Sequence, residues 1–133
     1  MQQNLMEVGY LDGEAYEIAV RGHRILVDQP LDAGGADTAP TPTELFVGSL
    51  ASCVAYYAGR YLTRHGYERT GLTVSASFDL AADRPARVSS VKISVKVPTE
   101  LPESRWPAFE AVVRHCTVHN TLHNLPEIAI DLT

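Results

Sequence analysis

Two cysteines, Cys53 and Cys116, are the side chains best suited to covalent chemistry in this sequence, and they lie 63 positions apart. An ionised cysteine attacks electrophilic oxygen or sulfur. A cysteine packed in a core behaves instead as a small hydrophobe, and desolvation opposes its ionisation. The residues therefore allow two readings: inert core thiols, or a redox pair that folding brings together. The second requires a positive charge or a hydrogen-bond donor beside Cys53. On its own segment Ser49 and Tyr57, one helical turn to either side, offer hydroxyls, while Arg60 is close to two turns away. Arg21, Arg24, Arg84 and Arg87 are the candidates from elsewhere. Glu44 is a candidate carboxylate, but nine residues of helix span about 13.5 Å, so a capping role is expected of it.

A second cluster surrounds Cys116. His115, His119 and His123 recur every four residues, and Cys116 with His119 makes a Cys-x-x-His spacing. Zinc takes Cys and His ligands, so Cys116, His119, His123 and Cys53 form a conceivable set. Histidines near a helix end also serve as solvated groups that complement the helix dipole. Asn124 and Pro126 predict that the helix stops short of His123. No metal is expected on balance, and no resident cofactor.

These side chains must be positioned by an α+β chain. Ala39 to Gly66 reads as one long helix carrying Cys53 near its middle. Thr41 is the expected N-cap, with Pro42 at the first helical position and Glu44 completing a capping box; Gly66 supplies the stop. Leu45, Phe46, Val47, Leu50, Ala51, Val54, Ala55, Ala58 and Leu62 spread over more than one stripe, which predicts burial of the first half on most sides. Small residues from Gly48 to Gly59 would let neighbours approach the backbone closely.

Before the helix, alternation over 5–10 and 15–20, a turn between them and a third run over 23–27 predict an antiparallel meander. A loop with Gly34-Gly35 leads into the helix. After it, period-two patterns over 72–80 and 88–97 predict a hairpin with one wet face, ended by Pro98. A second helix is expected from about Pro102–Trp106, with Ser104 as N-cap, Pro107 in the first turn, and Phe109, Val112, Val113 and Cys116 at helical spacing. The residues from His115 to Leu122 either end it or begin a short further one. Glu127 to Leu132 alternates again and predicts a closing strand. The organisation expected is a single domain over 1–133: meander 1–30, Gly-rich loop and long helix 31–66, then hairpin, second helix and last strand 70–133.

A chain of 133 residues can bury a core, and its formal charge of −5 with scattered Lys and Arg argues against a nucleic-acid partner. No apolar run is long enough to predict a membrane span, and the N-terminus shows no secretory signal, so a reducing cytoplasm is the default expectation.

Gly34-Gly35, the run Pro40-Thr41-Pro42-Thr43-Glu44-Leu45-Phe46, then Leu50-Ala51-Ser52-Cys53, and later Cys116-Thr117-Val118-His119-Asn120-Thr121-Leu122, resemble the OsmC/Ohr family. The resemblance covers nearly the whole chain. It implies antiparallel strands wrapped around two central helices in an intertwined homodimer. It also implies a thiol-dependent peroxidase reducing organic hydroperoxides, with Cys53 peroxidatic, Cys116 resolving, and an external dithiol such as a lipoyl group as reductant. Arg21 or Arg24 would activate the thiolate. Thr43 stands where peroxidase branches carry a Glu, with Glu44 one place away, and Thr117 stands where the family usually has Pro. One residue turns a helix by about 100°, so Glu44 does not simply substitute. The alternative is a non-catalytic dimer that binds a small apolar or thiol ligand in the same pocket.

Overall fold

The computed structural model describes residues 4–133. The described chain forms two compact units, one ending at Phe46 and one running from Val47 to Thr133. The element order is three strands, a long helix, two strands and two short helices.

In the first unit, β1 (Glu7–Asp12), β2 (Ala15–Val20) and β3 (His23–Val27) form the expected meander, antiparallel in the order β1-β2-β3. Gly9 pairs with Glu17 and Ile18 with Ile25. The loop that follows is tied down by Asp28, a buried carboxylate. It accepts hydrogen bonds from the backbone N–H of Gln29 at 2.7 Å, the N–H of Thr38 at 3.0 Å and the Thr38 hydroxyl at 2.6 Å. The Thr38 hydroxyl, followed by the two N–H groups, holds this carboxyl below the usual carboxylate range. The Gly-Gly pair has a structural explanation here. A Cβ on Gly35 would collide with the Gln29 carbonyl group, so only glycine lets the loop close this tightly.

Helix α1 runs from Pro42 to Arg64. Its start is the expected capping box: Thr41 N–H donates to Glu44 Oε1 at 2.8 Å, and Glu44 N–H donates to Thr41 Oγ1 at 3.1 Å. Replacing Glu44 by Ala should cost about 1 kcal/mol, the worth of a cap, as a lower denaturant midpoint in urea unfolding. At the far end Gly66 takes a left-handed φ of 78°, and Tyr67 N–H closes back on the Leu62 carbonyl at 2.8 Å.

In the second unit, β4 (Thr73–Leu80) and β5 (Val88–Lys96) form a two-stranded antiparallel ladder, Val74 opposite Val95 and Phe78 opposite Val91. The alternating apolar residues of this ladder lie against the helical residues of the same unit in two adjoining clusters. One is built on Ala58, Tyr61, Leu62, Leu101 and Phe109, the other on Leu50, Val54 and Cys116. Helix α2 (Trp106–Arg114) and helix α3 (Thr117–His123) complete the unit.

Four expectations are corrected. The buried residues of α1 are Val47, Leu50, Val54, Ala58, Gly59, Tyr61 and Leu62, a stripe at spacings of three and four, whereas Gly48, Ser52 and Tyr56 are exposed. The unit supplies packing to one face of the helix, so the first half is not enclosed. Ser104 is not an N-cap: α2 is preceded by a 3-10 turn over Glu103–Arg105, closed by the Trp106 N–H donating to the Glu103 carbonyl. That turn takes up the Trp106 donor the cap would have served, and Pro107, the next position, carries no N–H at all. Helix α3 reaches His123 despite Asn124 and Pro126, because Asn124 N–H still closes on the Asn120 carbonyl at 2.9 Å. Finally, Glu127 to Leu132 forms no strand. Ile128, Ile130 and Leu132 are 78%, 80% and 92% exposed. A strand exists only through ladder bonds to a neighbour, and none of the five described strands pairs with this segment.

Candidate functional site

Cys53 is carried on α1 one residue before Val54, half-buried and outside any disulfide. Cys116 sits at the break between α2 and α3 and is fully buried. Its backbone is extended (φ −69°, ψ 158°), so it occupies the N-cap of α3, and its Sγ accepts the His119 N–H at 3.4 Å. The Cys-x-x-His spacing is thus a cap spacing. The two cysteines, remote in sequence, share one apolar cluster with Leu50, Val54, Val91, Ile93, Val113 and Val118, and their thiols interact.

Burial pushes the Cys116 thiol above its ordinary range, the His119 N–H pulls it partly back, and the neighbouring Cys53 thiol raises it further. At neutral pH Cys116 is therefore a protonated thiol. The same shift fixes a dependence of stability on pH. In the unfolded chain this thiol ionises near its ordinary 9.0, while in the native state it keeps its proton to higher pH. The native state then binds more protons, so this contribution is intact below the unfolded value and is lost as pH rises through the folded one. As pH rises above 9.0, the ordinary value for this thiol, the melting temperature should fall more steeply for the wild type than for Cys116→Ala.

Beside the thiol cluster lies a cavity of about 460 Å³ bounded by α1, β5, α2 and α3. Leu50, Val54, Val91, Ile93, Val95, Phe109 and Val113 give it apolar walls, and Glu110, Arg114 and His119 are its polar members. Most of these apolar residues also pack around the thiols. Arg114 Nε and Glu110 Oε2 approach to 3.7 Å, one helical turn apart. The Nδ1 atom of His119 is buried without a hydrogen-bond partner, while its Nε2 meets His123 Nε2 at 3.1 Å. His115 is drawn away from that pair, its Nδ1 2.6 Å from the Ala111 carbonyl oxygen. Among the described residues no group of three His, Cys, Asp or Glu is arranged to hold a metal ion.

Sequence nomination and geometry agree unevenly. Cys53 and Cys116 are brought together. Glu44 is a cap. Arg21, at a left-handed φ of 49°, and Arg24, paired with Glu17 at 2.9 Å, belong to the first unit. Arg87 is held by Asp83 at 3.0 Å in the β4–β5 connector. The guanidinium on the cavity wall is that of Arg114, which the sequence reading passed over. Its signal was available: Glu110 and Arg114 sit one turn apart on the helix whose Phe109 and Val113 face the core.

Compared with known families, residues 34–131 match the model for OsmC-like protein, which is most of the chain. The chain belongs to the OsmC-like family. Solved structures agree on the fold. A candidate osmotic stress induced and detoxification response protein from Psychrobacter arcticus 273-4 superposes with a TM-score of 0.81 at 28% identity, over 91% of this chain and 88% of that one. An organic hydroperoxide resistance protein OsmC from Legionella pneumophila gives 0.66 at 15% identity, over 92% and 91%. An OsmC-like protein of unknown function from Vibrio cholerae gives 0.69 at 14% identity, over 91% and 94%. No curated protein matches the sequence. No helix among the described residues of this OsmC-like chain is long and apolar enough to cross a membrane.

Proposed function

We propose that this OsmC-like protein is a two-cysteine thiol peroxidase acting on organic hydroperoxides. The observation that carries the reading is the meeting of Cys53 and Cys116 in one apolar cluster, with the half-buried Cys53 open to a substrate and Cys116 protonated behind it. The Cys53 thiolate attacks the distal peroxide oxygen; the O–O bond breaks, an S–O bond forms, and the alkoxide leaves and takes a proton as the alcohol. Cys116, on losing its proton, attacks the resulting sulfenic sulfur. An S–S bond replaces the S–O bond, and water departs. An external dithiol reduces the disulfide by two exchanges and is itself oxidised to a disulfide. Apolar walls beside the thiols favour an alkyl or aryl hydroperoxide over hydrogen peroxide.

A reducing cytoplasm suits this cycle, since both cysteines must return to thiols. The working form is a homodimer. The exposed alternating segment Glu127–Leu132 supports it, because a second copy would give its apolar residues a partner. Arg21 or Arg24 would then serve as thiolate activator.

The second reading, a non-catalytic binder of a small apolar ligand, is favoured by the lining of the cavity, which includes neither sulfur. Consumption of cumene hydroperoxide with dihydrolipoamide as reductant separates the two. A peroxidase oxidises one dithiol per peroxide consumed, whereas a binder leaves the peroxide intact.

A further inference from the structure

A second concavity of about 370 Å³ lies in the same unit and is lined by Tyr56, Tyr57, Arg60, Tyr61, Arg64 and His65 of α1 and its C-terminal extension, with Val112 of α2 closing it. None of its lining residues is acidic. The chain as a whole carries a net charge of −5, so two arginines gathered here without a carboxylate run against its overall balance. A third guanidinium adjoins them. Arg105 Nη1 lies 2.7 Å from His65 Nδ1, and because arginine only donates, His65 accepts at Nδ1 and keeps its remaining proton on Nε2.

Each cation is held or free in a way that suits an incoming oxyanion. Arg60 Nη1 donates to the Tyr56 hydroxyl at 2.7 Å, with the guanidinium carbon 5.6 Å from the ring centroid, which fixes its plane and leaves its other N–H groups for a ligand. Arg64, one turn further along the helix, has no hydrogen-bond or ion-pair partner among the described residues. The Tyr61 ring packs on the His65 ring with centroids 4.2 Å apart, and Tyr57 is fixed by a 2.9 Å hydrogen bond between its hydroxyl and Thr117 Oγ1. Aromatic walls and an unneutralised guanidinium pair together describe a site for a flat or apolar body bearing one oxyanion.

We infer that the concavity formed by Tyr56, Tyr57, Arg60, Tyr61, Arg64 and His65 binds a small carboxylate on an aromatic or apolar body, with Arg60 and Arg64 as its anion receptors. This site stands independently of the thiol chemistry. Free inorganic phosphate shares the oxyanion but lacks the body, so the two sources are separable by experiment.

Isothermal titration of the full-length protein with benzoate, its neutral counterpart benzyl alcohol, and inorganic phosphate provides the test. Benzoate should bind saturably. Benzyl alcohol should bind at least about tenfold more weakly, because it forfeits the charge-assisted hydrogen bonds. Arg60→Gln and Arg64→Gln should each weaken benzoate by about ten- to a hundredfold, and Arg64→Lys should restore part of the loss. Both arginines are exposed, so the variants should keep the wild-type melting temperature. Phosphate binding more weakly than benzoate supports an aromatic carboxylate. Phosphate binding as tightly as benzoate overturns that ligand class. Absence of benzoate binding, equal affinity for benzoate and benzyl alcohol, or affinity unchanged in the Arg60→Gln, Arg64→Gln double variant overturns the site.

Discussion

Cys53→Ser should abolish hydroperoxide reduction, leaving cumene hydroperoxide to disappear only at the rate of its uncatalysed reaction with the dithiol. Cys116→Ser should instead permit about one turnover per active site and then stall, because the sulfenic acid on Cys53 has no thiol with which to condense. The two variants differ by one oxygen-for-sulfur exchange each, in side chains of the same cluster. A purely structural role for the pair would therefore affect them alike. A dimedone adduct should accumulate on Cys53 in the Cys116→Ser protein after one equivalent of peroxide and should not form in Cys53→Ser. Turnover that persists in Cys53→Ser would remove the thiol mechanism altogether.

The largest expected loss of stability lies elsewhere, at Leu62→Ala. Leu62 is fully buried within the cluster of Ala58, Tyr61, Leu101 and Phe109, with Tyr67, Leu72, Val95 and Val97 packed around it. Trimming its side chain to a methyl group forfeits the transfer free energy of three carbons and leaves a void that the crossing of α1, α2 and the β4–β5 sheet cannot readily refill. The cost should be about 2–5 kcal/mol, a substantial part of a typical domain's whole stability. Equilibrium urea unfolding measures it. Ser104→Ala makes the contrast, since Ser104 makes no cap bond and its loss should stay within about 0.5 kcal/mol. A large effect at Ser104 with none at Leu62 would mean that the packing described here is not what holds the unit together.

Local elements were legible where short-range physics decides them. The meander and the second hairpin follow from period-two alternation interrupted by turn residues. The start and stop of α1 follow from Thr41, Pro42, Glu44 and Gly66, whose hydrogen bonds all fall within one or two turns of chain. The errors share a cause. Ser104 has the right chemistry for a cap, but a 3-10 turn reached the same donors first. Glu127 to Leu132 has the alternation of a strand, but alternation cannot supply a neighbour with which to form a ladder. The breadth of apolar residues on α1 suggested enclosure, but burial depends on what surrounds a helix as well as on its own residues.

The pairing of motifs around Cys53 and Cys116 was enough to place the chain in its family, and the family match over residues 34–131 agrees. It was not enough to say what lies beside the thiols. Sequence by itself determined the order of the elements from β1 to α2 and the presence of two thiols on separate segments, because propensity, capping and alternation act between near neighbours. Only tertiary structure decided that the sulfurs share one apolar cluster, that the cavity beside them carries Arg114 and an unpartnered His119 nitrogen, and that Arg60 and Arg64 flank a concavity without a carboxylate. Those facts depend on which faces meet when distant segments pack. That outcome is set by the summed burial of many side chains, and the spacing of no single motif encodes it.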